Sequence, residues 1–317
     1  MKHTDWRDRC RDKIKTADEA LRVLQPGDRL FIGSACGTPQ KLVQALADCP
    51  IEDVEITHLL TLGVAPYAQE KLASRYRVNA LFIMPNVRPA VWEGRADYTP
   101  VFLSEIPELF RSGRLPLDVA LIHVTPPDEH GFCSFGVSVD ITKPAAEAAR
   151  YVIAEVNPQM PRTLGDAFIH VSEIDAVVEN DAPIYEFVTP GESEVARRIA
   201  KNVADLVEDG STIQVGYGGI PNALLSYLKD KKDLGVHTEV FSDSTIDLID
   251  AGVINCRRKT LTPARSWPRS RWAASGCSTT STTTRCSSSI RLITPTIRSL
   301  SPRTTRWSPS TRRWRST

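Results

Sequence analysis

The chain has 317 residues, enough for two domains of ordinary size and too many for a small disulfide-stapled scaffold. Its 39 Lys+Arg and 38 Asp+Glu nearly cancel, which over the whole chain argues against a strongly charged partner. Eleven of the arginines and none of the acidic residues fall after Pro263, however, so residues 1–262 carry −10 and the last 55 carry +11. The first 28 residues alternate charges without an apolar h-region, and no run of 18 apolar residues occurs. The expectation is a cytoplasmic chain with no signal peptide and no membrane span. Cysteines at 10, 36, 49, 133 and 256 stand alone, without a CxxC pair, as reduced thiols do.

Taken in chain order, a helix is expected through Ala17–Leu24, stopped by Pro26-Gly27, and then a buried strand Arg29–Gly33. The alternation continues with a helix at Pro39–Ala47, a strand at Val54–Thr61, a helix at Tyr67–Arg75 and a strand at Asn79–Met84. Leu117–Val124 is a near-continuous apolar run, the pattern of a central parallel strand covered on both faces, and Tyr151–Val156 and Ile174–Val178 resemble further strands. Strands alternating with helices imply an α/β fold.

Pro183, Pro190 and Gly191 break the pattern around Asp181–Gly191, which marks a domain boundary. The second unit opens with an amphipathic helix. Its apolar stripe is Val195, Ile199, Val203 and Leu206, opposite Arg197, Arg198 and Lys201. A strand Thr212–Val215, a Gly-rich turn, a helix Pro221–Leu228, a strand Thr238–Phe241 and a helix near Thr245–Asp250 follow. The domains expected are 1–185, a partial 186–262, and an aberrant tail 263–317.

In that tail 35 of 55 positions are Ser, Thr or Arg, and no period survives. A basic arm for nucleic acid normally uses lysine too, and none occurs after Lys259. Shifting the codons of Thr296–Thr317 by one base yields a lysine-containing, charge-balanced segment with a strand-like run. The favoured reading is therefore an out-of-frame, disordered tail on an incomplete second domain.

Four clusters are candidates for chemistry. Gln214-Val215-Gly216-Tyr217-Gly218-Gly219-Ile220-Pro221-Asn222 leaves a strand and opens a helix, where bare backbone approaches an anionic ligand. Pro221 at the third position of GxGxxG weighs against a dinucleotide fold, and a plain tight turn is the alternative. Glu239, in His237-Thr238-Glu239-Val240-Phe241-Ser242-Asp243, is either a solvated or ion-paired carboxylate or, if buried beside the Gly-rich turn, a nucleophile. Asp128, Glu129 and His130 are adjacent, and adjacent side chains rarely converge on one ion, so no metal is expected. A Cys133–His130 pair is disfavoured for the same geometric reason, and Cys36 reads as a packing residue.

Five blocks in order, GSACGTPQ (33–40), VTPPDEHGFCSFGVSVD (124–140), EVNPQMPRTLGD (155–166), QVGYGGIPNALL (214–225) and LGVHTEVFSD with AGVINCRRKTL (234–243, 251–261), resemble the acetyl-CoA hydrolase/transferase family, 4-hydroxybutyrate CoA-transferase type. The resemblance covers residues 15–262. It implies a two-domain CoA-transferase fold with open, mostly parallel sheets carrying helices on both faces. It further implies transfer of CoA between an acyl-CoA and a carboxylic acid such as acetate through a glutamyl-CoA thioester. Glu239 matches the family's catalytic glutamate; Gln214, Val215, Gly216, Tyr217, Gly218 and Gly219 match its CoA-binding turn, and Asn222 is placed beside it. Coenzyme A is then a substrate, with no permanently bound cofactor, and a complete second domain would imply a homodimer. Ser244 stands where the family usually has glycine, which implies a disturbed turn behind the glutamate. The competing readings are acetyl-CoA hydrolase, a nucleotide-binding oxidoreductase, and an inactive truncated product.

Overall fold

The computed structural model describes residues 5–186, 193–216, 218–238, 240–259 and 291–292. Helix α1 (Ala17–Leu21) begins with a capping box: the Thr16 hydroxyl accepts from the Glu19 N–H, and the Glu19 carboxylate accepts from the Thr16 N–H. Strand β1 (Arg29–Ile32), helix α2 (Gln40–Ala45) and strand β2 (Val54–His58) follow as expected. The helix expected over Tyr67–Arg75 is replaced by two 3-10 turns, Pro66–Ala68 and Glu70–Leu72, separated by an extended Gln69. The reason is register: β3 (Tyr76–Ala80) starts three residues before the expected strand, because Tyr76 pairs with Val54, which leaves no turn between a helix ending at Arg75 and the strand. The turns still bury Tyr67, Ala68 and Leu72.

Next come α3 (Arg88–Trp92), β4 (Ala96–Tyr98), α4 (Ile106–Arg111), β5 (Val119–Val124), β6 (Phe132–Ser134), α5 (Thr142–Ala148), β7 (Tyr151–Val156), β8 (Phe168–His170) and β9 (Ala176–Glu179). Seven of these strands form a parallel sheet in the order β4-β3-β2-β1-β5-β7-β9, while β6 and β8 pair as a separate antiparallel ribbon. All six residues of β5 are buried, so the apolar run Val119–Val124 is the central strand it resembles. One core packs Leu30, Ile32, Ile56 and Val78 on one face of the sheet; a second packs Phe31, Ala120, Ile122 and Phe110 on the other. Strand order reverses between β2 and β5, on either side of β1. The loops leaving β1 and β5 therefore diverge at a switch point, the usual ligand edge of an open α/β sheet.

A second unit runs through α6 (Glu194–Ala204), β10 (Thr212–Ile213), α7 (Gly219–Ser226), β11 (Gly235–Val236), β12 (Val240–Phe241) and α8 (Asp243–Asp250). Of the strand expected over Thr238–Phe241, Val240–Phe241 form β12, which pairs antiparallel with β13 (Arg291–Leu292), while the parallel partner of β10 is β11, which ends before Thr238. The rest of the tail lies outside the described residues. A small core holds Ala204, Val215, Leu225, Leu228, Leu234 and Leu248.

Helix α6 overturns its expected facing. Ala196, Ala200 and Ala204 are buried, while Val195, Ile199, Val203 and Leu206 are exposed. The alanine stripe, spaced four residues apart, lets α7 approach α6 closely, and that rotates the bulkier stripe outward. Among the described residues no helix is long and apolar enough to cross a membrane.

Candidate active site

The Gly-rich turn is built by strand pairing. The β10–β11 ladder is extended by the His237 N–H donating to the Ile213 carbonyl at 3.0 Å. Thr238 then closes the pair with its side chain: Oγ1 accepts from the Val215 N–H at 3.1 Å and donates to the Val215 carbonyl at 2.6 Å. Residues 235–238 thus run alongside 212–215, and position 239 follows by one residue the threonine that grips the start of the turn. Glu239 itself and Tyr217 lie outside the described residues.

Gln214 and Gly216 are exposed and Val215 is buried, so the strand presents alternate residues outward as it enters the turn. Gly218 has φ +135°, a backbone conformation that disfavours any side chain, and α7 starts immediately after it. A Cβ built on Gly216 or Gly219 meets no heavy atom within 4 Å. Glycine at these two positions is not demanded by internal packing; the space over them is open to a ligand. The N–H of Asn222 donates to the Gly218 carbonyl at 3.2 Å, placing its partly buried side chain in the first turn of α7. Ser244 lies in the first turn of α8, a right-handed conformation that serine adopts without strain, so the expected disturbance of that turn does not arise.

The other candidates resolve into structural parts. Asp128 Oδ1 accepts from the N–H groups of His130 and Phe132, both at 2.9 Å, and Oδ2 pairs with Arg162 at 2.5 Å. Arg162 also lies over the Phe168 ring, 4.6 Å from its centroid, which ties the β6–β8 ribbon to the loop before it. Glu129 and His130 point to solvent. Cys133 is buried, and desolvation pushes its thiol up to about 12, the opposite of an activated nucleophile. Cys36 packs with Val137 and Met160. Among the described residues no three His, Cys, Asp or Glu side chains gather as a metal would require.

Sequence reasoning missed a buried polar row at the carboxyl ends of β2, β5 and β7. His58 and His123 are both inaccessible, and burial pushes both down to about 4, against a smaller upward pull from backbone hydrogen bonding at Leu59 and Thr38. His123 Nε2 lies 3.9 Å from Glu155 Oε1. Glu155 is also inaccessible, and its Oε2 accepts from the N–H groups of Lys41 and Leu42 at 2.9 and 3.1 Å. It caps α2, whose own N-cap residue, Pro39, has no side-chain acceptor. Desolvation raises the Glu155 carboxyl, with the Asn180 amide and the two backbone donors acting against that rise. A histidine inside the run Val119–Val124 and a glutamate inside Tyr151–Val156 were the available signals.

A family profile for the acetyl-CoA hydrolase/transferase N-terminal domain matches residues 1–189. The 4-hydroxybutyrate coenzyme A transferase of Clostridium kluyveri is 48% identical over 263 residues, 82% of this chain and 61% of that protein. The succinyl-CoA:acetate/propanoyl-CoA:succinate CoA transferase of Fasciola hepatica is 44% identical over 253 residues, 78% of this chain and 52% of that protein. The crystal structure of 4-hydroxybutyrate CoA-transferase from Porphyromonas gingivalis superposes with a TM-score of 0.71 at 40% identity, covering 82% of this chain and 62% of that one. The chain thus spans between about half and three fifths of the length of these relatives. With its parallel seven-stranded sheet and these matches, it belongs to the acetyl-CoA hydrolase/transferase family.

Proposed function

We propose that this chain carries the machinery of a CoA-transferase that moves CoA between an acyl-CoA and a short carboxylic acid such as acetate, with Glu239 as nucleophile. The observation that carries the reading is the double hydrogen bond between Thr238 and Val215, which holds the residue preceding Glu239 against the mouth of the open Gly216–Gly219 turn. Gln214, Val215, Gly216, Tyr217, Gly218, Gly219 and Asn222 form the CoA-binding turn in this reading. The relatives' names support the substrate class: 4-hydroxybutyrate, succinate with acetate, and butyryl-CoA with acetate. Proteins named acetyl-CoA hydrolase match at only 24 and 26% identity.

The Glu239 carboxylate attacks the thioester carbonyl, and the tetrahedral oxyanion collapses to an acyl-glutamyl anhydride and CoA thiolate. The thiolate attacks the glutamyl carbonyl, releasing the first carboxylate and leaving CoA bonded to Glu239. An incoming carboxylate reverses both steps, so the thioester bond energy is kept. Backbone N–H groups at the start of α7 are suited to stabilising the oxyanions, and water must be kept from the anhydride. Entry of water gives hydrolysis instead.

In the same reading the first domain is 1–185 and the second 186–262, and the reaction is cytoplasmic, where Cys10, Cys36 and Cys133 stay reduced. The test is to incubate the full chain with acetyl-CoA and analyse its peptides by mass spectrometry. A CoA adduct on the peptide containing Glu239, absent from Glu239→Gln, is expected; an adduct elsewhere, or none, overturns the assignment. Release of free CoA without acceptor acid, measured beside it, separates hydrolase from transferase.

A further inference from the structure

Past β9, residues 180–186 cross the carboxyl edge of the sheet without joining a ladder, and the carbonyls of Asp181, Ala182 and Pro183 are each claimed by a side chain. The Glu179 carbonyl accepts from Lys41 Nζ at 2.9 Å, that of Ala182 from Asn157 Nδ2 at 2.8 Å and that of Pro183 from Gln40 Nε2 at 3.1 Å. The Asp181 carbonyl accepts from Gln159 Nε2. Asn180 donates to Glu155 Oε1 at 2.5 Å while its own Oδ1 accepts from the Ala182 N–H at 3.0 Å. Side chains from α2 and from the chain just after β7 thus do what backbone pairing does elsewhere. An ordinary connection leaves these groups to water.

Apolar contacts finish the seating. Ile184 packs beside Cys36, Val137 and Met160. The Tyr185 ring lies so close to Gly63 that any Cβ there would overlap it, and Gly63 has φ +78°, where glycine is favoured. Tyr185 is partly buried, and the Val64 backbone hydrogen-bonds its hydroxyl. Ile184 and Tyr185 together thus touch the loops after β1 and after β2, both at the carboxyl edge of the sheet.

We propose that residues 180–186 are a docked strap that fixes where the second unit begins above the carboxyl edge of the sheet, with Glu155 as its near anchor and Tyr185, seated in the Gly63 notch, as its positioning residue. The strap is independent of the transferase reading. Its use in bringing the unit that carries Glu239 to the first domain rests on that reading.

Hydrogen–deuterium exchange of the full chain tests it. In Tyr185→Ala the amides of 180–186 are expected to lose tenfold or more of their protection, while peptides covering β5 and β7 keep theirs. Tyr185→Phe, which retains the ring, is expected to stay within about threefold of the native chain. Gly63→Ala is expected to match Tyr185→Ala, and the double variant to lose no more than Tyr185→Ala alone, because a ring already absent cannot be displaced. Unchanged protection in Tyr185→Ala, or additive losses in the double variant, overturns the proposal. Should Gly63→Ala fail to fold, the Ala and Phe variants at 185 decide the question. A chain that forms no CoA adduct but shows this coupling loses the transferase reading and keeps the strap.

Discussion

The two units follow the same strand–helix alternation but are held together differently. In the first, seven parallel strands of three to six residues are covered on both faces, and β5 is buried along its whole length. In the second, β10 and β11 are two residues each, the core is small, and one side-chain hydroxyl closes the pair that frames the Gly-rich turn. The first unit is a scaffold whose stability is spread over many contacts. The second concentrates the proposed chemistry where few interactions hold it, so small changes there should alter function more than stability.

The largest expected effect is in the scaffold. Phe31 is fully buried and meets Phe110 edge-on, with ring centroids 5.8 Å apart. Phe31→Ala should cost about 3–5 kcal/mol in denaturant unfolding, through lost transfer energy and the cavity left behind. A loss below about 1 kcal/mol would break the contrast between the units.

Acid stability sharpens it next. His58 and His123 sit at about 4 against an ordinary 6.5, because burial penalises the charged ring. Between 6.5 and about 4 the unfolded chain takes up protons that these rings refuse. Stability is therefore lost as pH falls through that window, by up to about 3 kcal/mol for each ring. Asp140 and Glu155, raised by burial, act with the opposite sign, since the folded state takes up their protons first. His58→Gln isolates one ring: its unfolding free energy should depend less on pH from 6.5 to 4 than that of the native chain.

Within the second unit, Ala200→Leu should destabilise by about 1–3 kcal/mol through overpacking against α7, whereas the exposed Leu206→Ser should stay within about 0.5 kcal/mol. Equal effects in thermal unfolding would mean that the alanine stripe is not the packed one. Thr238→Val keeps the shape but strands the Val215 N–H and carbonyl. It should cost about 1–2 kcal/mol and, in the adduct assay, lower the yield of CoA on Glu239 by tenfold or more. Among the substitutions at the proposed site, the smallest stability change belongs to Gly219→Ala, which fills open space at the start of α7. Gly219→Ala should leave stability level or raise it by under about 1 kcal/mol, while raising the acyl-CoA concentration needed for half-maximal adduct. Unchanged CoA dependence would remove Gly219 from the proposed binding turn.

Much of the first unit was legible because its signals are local. Apolar runs such as Val119–Val124 and Tyr151–Val156, and Pro26-Gly27 after a helix, each state their structure within a few residues. The reading failed where a second element chose between two locally acceptable answers. Residues 67–75 have helical spacing, but the Val54–Tyr76 register leaves no turn between such a helix and β3, and two short 3-10 turns form instead. Helix α6 carries two stripes, and periodicity favours the bulkier one; close approach of α7 selects the alanines.

By itself the sequence determined the α/β alternation, the Gly-rich turn between strand and helix, and the family. These depend on residue order and spacing, which the chain carries directly. Only the tertiary structure decided that Thr238 closes on Val215, that Glu155 caps a helix more than a hundred residues earlier, and that the carbonyls of Glu179, Asp181, Ala182 and Pro183 are held by side chains from α2 and from the chain just after β7. Each of these joins atoms distant along the chain. A buried polar group takes whatever partner the packing brings within reach, and local pattern has no means of naming it.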